Sequence, residues 1–193
     1  TEAGPRISDF VTQIFDYRLG VRGNITDSIT FDVFGAYGES ENLQTIRGYT
    51  LNSRFRQGLR AGGTRAAPVC FDPSNGCVPV DVFGPEGAIS PAQVDFLTAE
   101  STVLTRTTLS QARATIAGDF GAVSPFAEDA ISFAVGGEYR KYTALQQSDT
   151  LAESGDLGGA GGPAPFIQGS FDVYEAIGEV VAPLIQDRPF FKS

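Results

Sequence analysis

The residues of this 193-residue chain that could do chemistry are few, and most are carboxylates. Glu175 and Glu179 are the most suggestive pair, because two carboxylates are the minimum for glycoside hydrolysis. Four positions apart on an extended strand, they stand about 13 Å from each other, too far to flank one glycosidic bond. Glu138 and Arg140 are two apart and so share a strand face. That pair reads either as a contact to a ligand or an inner domain, or as a structural ion pair within a wall. Histidine is absent, which removes the usual general base and the commonest metal ligand. Asp72, Asn75 and Asp81 carry oxygens suited to calcium, but their spacing is not that of an EF-hand, and Asp-Pro-Ser-Asn-Gly reads as a turn. The glycines from Gly158 to Gly162 lack the following Lys-Ser/Thr of a phosphate loop. No catalytic residue, cofactor or metal site is expected, and the chain is not expected to be an enzyme.

The two cysteines, Cys70 and Cys77, bracket the turn-forming run Phe-Asp-Pro-Ser-Asn-Gly. That arrangement favours a small disulfide loop over two free thiols. It is worth about 2.5 kcal/mol in the chain-entropy view and implies an oxidising compartment. A zinc site is not indicated, because two further ligands are missing. The net charge of −9 comes without a basic patch, which argues against a nucleic-acid partner. Acidic residues in the presumed loops suit a water-facing rim that attracts cations.

The elements that would position these groups are strands. No run of eighteen apolar residues exists, and the best candidate, Ala176 to Ile185, is broken by Glu179 and Pro183, so a transmembrane helix is excluded. The hydrophobic fraction of 41% equally suits a soluble fold or a transmembrane barrel, whose strands alternate apolar and polar residues. Five segments carry strand character, four of them with a clear period of two. In the first, about Phe10 to Arg22, Val11, Phe15, Tyr17, Leu19 and Val21 oppose Thr12, Asp16 and Arg18, with Ile14 as an exception. In the second, about Ser28 to Ser40, Ile29, Phe31, Val33, Gly35 and Tyr37 oppose Thr30, Asp32, Ala36 and Gly38. The third, about Val103 to Phe120, sets Ala112, Ala114, Ile116, Gly118 and Phe120 against Gln111, Arg113, Thr115 and Asp119. The fourth, about Ala130 to Ala144, sets Ile131, Phe133, Val135, Gly137 and Tyr139 against Ser132, Ala134, Glu138 and Arg140. The fifth, about Ser170 to Leu184, sets Tyr174, Ala176, Gly178, Val180, Ala182 and Leu184 against Glu175 and Glu179.

The connections run short, long, short, long, short. Residues 41–102 form a long irregular loop, with a short helix capped by Ser90 and started by Pro91. Residues 145–169 form a second, mobile loop, and a tight turn begins at Ile185. Soluble sandwiches keep their connections short, whereas outer-membrane barrels alternate short periplasmic turns with long outer loops. All five strands exceed the roughly 9 to 11 residues that cross a bilayer. The predicted fold class is therefore all-β: about five long antiparallel strands of a transmembrane β-barrel, in one partial-barrel domain over 1–193. Five strands cannot close a barrel in lipid, so further strands are expected. With no Met at position 1 and no signal peptide between Thr1 and Phe10, the chain reads as processed or cut. Tyr17, Phe31, Tyr37, Tyr139 and Tyr174 fit interfacial girdles of a barrel or the core of a sandwich.

Several runs resemble a known family. Ala134-Val135-Gly136-Gly137-Glu138-Tyr139-Arg140 looks like the Gly-x-Glu-Tyr-Arg strand of TonB-dependent receptors. Ser170-Phe171-Asp172-Val173-Tyr174-Glu175, leading into Gly178-Glu179-Val180 and Pro183-Leu184, resembles the family's next strand, ending at a periplasmic turn such as Asp187-Arg188-Pro189-Phe190. Cys77 to Gly84, followed by Ile89-Ser90-Pro91, is similar to a cysteine-bearing loop in one branch of these receptors, and Asn24 to Asn42 fits the hairpin leading into it. The resemblance spans about Phe10 to Phe191. It departs from the family in having no plug domain, no TonB box and no C-terminal strand ending in an aromatic.

The resemblance implies a slice of the barrel of an active-uptake receptor in the outer membrane of a Gram-negative bacterium. Its long loops would capture a scarce small ligand, such as a siderophore, a vitamin or a glycan. Glu138, Arg140, Glu175 and Glu179 would line the lumen. The partners implied are the rest of the barrel and its plug, the TonB complex acting through the parent chain, and outer-membrane lipid. Two rival readings are a soluble secreted β-sandwich that binds a glycan or protein, and another outer-membrane barrel such as a porin or autotransporter.

Overall fold

The structure is a computed structural model that describes residues 2 and 4–186. The turn expected at Asp187–Phe190 therefore lies outside the described residues. The fold is mostly antiparallel β, around one five-stranded sheet. Its strands are β1 (Ile7–Asn24), β2 (Ile29–Thr50), β5 (Thr98–Val123), β6 (Ala130–Ser148) and β7 (Ile167–Val181), paired in the order β1-β2-β5-β6-β7. Between β2 and β5 lie α1 (Asn52–Leu59), a hairpin of β3 (Ala61–Thr64) with β4 (Ala67–Cys70), and α2 (Pro91–Leu97). Between β6 and β7 lies α3 (Thr150–Ser154). The sheet is an open meander: among the described residues β1 and β7 are its edges and no closed barrel is present.

Cross-strand contacts fix the register. Gly20 lies against Phe34 and Gly38 against Asp16, so β1 and β2 run antiparallel. Thr30 donates to the Ala117 carbonyl, 3.2 Å away, while Gly35 lies near Gln111, which sets β2 against β5 in the same sense. Gly136 abuts Ala114, and Gly137 lies near Glu175, extending the pattern through β6 and β7. The short connections are tied locally. The Thr26 hydroxyl accepts the Ser28 and Ile29 amides at 3.3 and 3.1 Å. The turn at 124–129 is held by Gln186, whose side-chain oxygen accepts the Glu128 and Asp129 amides at 2.7 and 2.9 Å.

The chain divides into two compact units. Of the described residues, one comprises 14–40, 107–144 and 169–186, the middle and far portions of the five strands. Each strand portion there is at least as long as the roughly 9 to 11 residues of a bilayer-crossing strand. None of the buried apolar residues lies in this unit among the described residues. The expected stripes fall on one shared face: Phe15 packs near Tyr37 at 6.1 Å, Phe120 stacks on Phe133 at 4.6 Å, and Tyr139 meets Tyr174 at 5.1 Å. That face is open, with Leu19 83% and Tyr174 79% exposed.

The other unit comprises, of the described residues, 2, 4–13, 41–106 and 145–168, and it holds the buried core. Val80, Phe96 and Leu97 pack together with Cys77 and Val78, and Leu51, Ala152 and Leu157 are also buried. Gly58 of α1 is required by close approach, since a Cβ there would stand 2.9 Å from Val80 and 3.1 Å from the Val78 carbonyl. Alternation alone ends the second strand at Ser40 and the fourth at Ala144, and it gives the two long loops no common structure. In fact β2 continues to Thr50 and β6 to Ser148. The stretch expected to be mobile is bonded into this unit: the Gly158 amide donates to the Thr50 carbonyl at 2.7 Å, and Leu51 bridges to Leu157.

Asp149 ties these segments together. Its carboxylate accepts the Ala152 amide at 2.7 Å as the cap of α3, the Thr102 amide at 2.7 Å and the Ser101 hydroxyl at 2.8 Å. Burial pushes its pKa up, but the hydrogen bonds from Ala152, Thr102 and Ser101 outweigh burial and hold it below the usual carboxylate value. A depressed folded pKa means the stabilisation is complete above the unfolded value of about 3.9 and is lost as pH falls through the folded value. Asp149→Ala is expected to cost about 1–2 kcal/mol in local opening. The readout is hydrogen exchange at the Thr102 and Ala152 amides. In the wild type their protection falls below about pH 4, and in Asp149→Ala it is already low at neutral pH.

Candidate functional site

The polar side of the strands carries the chemistry, and strand alternation puts it there. Glu138 and Arg140 of β6 project from one face, with Gln111 and Arg113 of β5 on one side and Glu175 of β7 on the other. Glu138 is the centre of the group, its side chain only 8% exposed. Gln111 donates to its Oε1 at 2.8 Å, and Arg113 approaches its Oε2 at 3.9 Å. Arg140 Nε lies 3.0 Å from Glu138 Oε1 but off a hydrogen-bonding line, so that contact is coulombic. The other end of Arg140 reaches Glu175 at 2.5 Å and donates to the Tyr142 hydroxyl at 3.3 Å.

Two carboxylates and two guanidiniums thus neutralise one another across three strands. Of the sequence-predicted residues, Glu138, Arg140 and Glu175 come together, while Glu179 lies further along β7, outside the group. Gln111 and Arg113 complete it and were not singled out from the sequence. Their signal was their place on the polar stripe of the third strand, which joins them to Glu138 only once the register is known. The same face also holds apolar groups: Arg18 lies over the Phe34 ring at 3.7 Å, and Tyr142 stacks on Phe171 at 4.9 Å.

A second constellation is the cysteine loop. Cys70, at the end of β4, is bonded to Cys77 just beyond a single turn at Ser74–Gly76. Asp72 accepts the Ser74 amide at 3.0 Å, and the Ser74 hydroxyl and amide hold its carboxyl below the usual range. Asn75 takes the left-handed conformation at φ 57°, and Asp81 accepts the Phe83 amide at 3.0 Å. The two carboxylates are therefore engaged in turns. No group of three or more acidic, Cys or His side chains able to hold a metal is found among the described residues. Gln57 anchors the loop by donating to the carbonyls of Asp72 and Ser74, at 3.0 and 2.9 Å.

No family model, curated protein or solved structure matches the chain.

The ion-pair group makes a direct prediction. Glu138→Ala leaves Arg113 and Arg140 without their central carboxylate. Both are partly exposed, so the cost is screened to about 1–3 kcal/mol. Adding Arg140→Leu should recover part of the loss. A thermal-unfolding double-mutant cycle reads the coupling, and additive losses would show that the group does not act as a unit.

Proposed function

We propose that this chain is part of the wall of an outer-membrane β-barrel of the TonB-dependent receptor kind, which takes up a scarce ligand across a Gram-negative outer membrane. One observation carries the proposal. The strand-rich unit has an apolar face that is open along its whole width, while the opposite face holds a neutralised ion-pair group. In water such a face is a liability. Against lipid it is the required surface, and the polar face becomes the lumen wall. The connections support the same reading, with short turns at 25–28 and 124–129 and long insertions between β2 and β5 and between β6 and β7.

The open edges add a requirement. Exposed backbone on β1 and β7 is intolerable in hydrocarbon, so the barrel needs further strands. The sequence resemblance supports the receptor class over a porin or autotransporter, and an inner plug domain in the parent protein is the feature that separates them. A secreted β-sandwich would bury the apolar face under a second large sheet, and the described residues contain none.

The test is detergent extraction of outer membranes followed by electrophoresis of unheated and boiled samples. The expected result is a heat-modifiable species several times larger than 20.4 kDa. A species of that small mass in the soluble fraction would sink the proposal. Paired substitutions on β6 refine it: Val135→Arg, on the apolar face, should cost about 2–4 kcal/mol near the bilayer midplane, and Ala134→Arg, on the other face, much less.

A further inference from the structure

Within the strand-rich unit, the polar face carries a hollow of about 770 Å³. The register explains its shape. Asp16, Gly38, Leu109, Tyr142 and Phe171 fall in one row across the five strands, and Ile14, Ser40, Thr107, Ala144 and Gly169 fall in the next. Gly38 in the first row, and Ser40, Thr107 and Ala144 in the second, are small and leave the floor low beside Leu109. At one end the Tyr142 and Phe171 rings stack at 4.9 Å with 19° between their planes, and Phe171 is 60% exposed. At the other end stands the exposed carboxylate of Asp16. From Asp16 to Phe171 is four strand spacings, at most roughly 19 Å.

We infer that this hollow is a binding site for a short, unbranched neutral oligosaccharide. The inference rests on the receptor reading above and names its ligand class. The volume is that of a ligand site rather than a packing defect. An aromatic pair offers a flat apolar surface that suits the C–H face of a pyranose ring. Asp16, Ser40 and Thr107 supply an acceptor and two hydroxyls for the ring hydroxyls, and their side chains are spaced along the same hollow. The elongated shape suits several linked rings better than one compact chelate. Of the cations one row away on the same face, Arg140 is committed to Glu138, Glu175 and Tyr142 and Arg18 lies over the Phe34 ring, and the charged residues of the lining itself are carboxylates, which disfavours an anionic ligand.

The test uses the detergent-extracted protein and isothermal titration with three probes: maltotetraose, cellotetraose and xylotetraose. At least one should bind with a stoichiometry of one. Tyr142→Ala and Phe171→Ala should each weaken it at least tenfold, and Asp16→Asn several-fold. Gly38→Leu is the independent variant. A Cβ at Gly38 has room, with its nearest neighbours at 3.8 and 4.0 Å, so the larger side chain fills the hollow without disturbing the strand. It should abolish binding while leaving heat-modifiable mobility unchanged. Phe83→Ala, in the other unit, should leave binding unchanged. Absence of binding by all three probes, or equal binding by Gly38→Leu, would overturn the inference. A heat-modifiable protein that fails to bind would leave the barrel reading standing.

Discussion

The register of the five-stranded sheet is the constraint on which everything else depends. Side chains alternate with a period of two, so a slip of one residue in any strand would carry its apolar set to the opposite face. Phe133 would leave Phe120, and Glu138 would leave Gln111, in a single step. Two sets of contacts hold the register at once. Aromatic pairs on the open face and charged or polar pairs on the other each demand the same alignment of β5, β6 and β7. Neither set is energetically large alone, at roughly 0.2–1 kcal/mol for a cross-strand pair. Their agreement on one alignment is what specifies it.

The two units divide stability and surface between them. The loop-bearing unit is built like a small soluble protein, with a buried cluster, a disulfide, capped helices and a carboxylate that accepts several hydrogen bonds. The strand-rich unit has no such interior among the described residues. Its stability in isolation would rest on ladder hydrogen bonds and side-chain rows, with its larger apolar area facing outward. That inversion is what an apolar solvent on one side would reward, since lipid makes the open face favourable and leaves the polar face for water and ligand.

Legibility in the sequence followed the same division. The strand positions between Phe15 and Tyr37, and between Ala112 and Tyr139, were readable because alternation is strict where one face is apolar. Beyond Ser40 the strand continues through Glu41, Asn42, Gln44 and Thr45, which are polar on both faces and give no periodic signal. It is held there by cross-strand partners far away in sequence, such as Arg106 with Glu41 and Arg47 with Glu100. The helix after Ser90 was legible from its cap and proline, and the structure shows the full capping box with Gln93. The helix at Asn52–Leu59 was not, since Leu51 at its start offers no capping side chain. The cysteine pair was readable from its spacing, but the core needed pairing across distant segments: Val80, Phe96 and Leu97 pack with Cys77 and Val78, and Leu157 returns to bridge Leu51. The ion-pair group was half legible: Glu138 and Arg140 declare themselves on one strand, while Gln111, Arg113 and Glu175 join only through pairing.

The central claim is that the face bearing Ile131, Phe133 and Val135 meets lipid, while the face bearing Ser132, Ala134 and Glu138 meets water. The most direct measurement is a nitroxide scan along residues 131–138 of β6 in the protein reconstituted with lipid bilayers, recording collision with oxygen and with a water-soluble nickel chelate. The account predicts alternation with a period of two, with oxygen high at odd positions and out of phase with nickel. Uniform access to the nickel chelate, or oxygen maxima at the even positions, would contradict it.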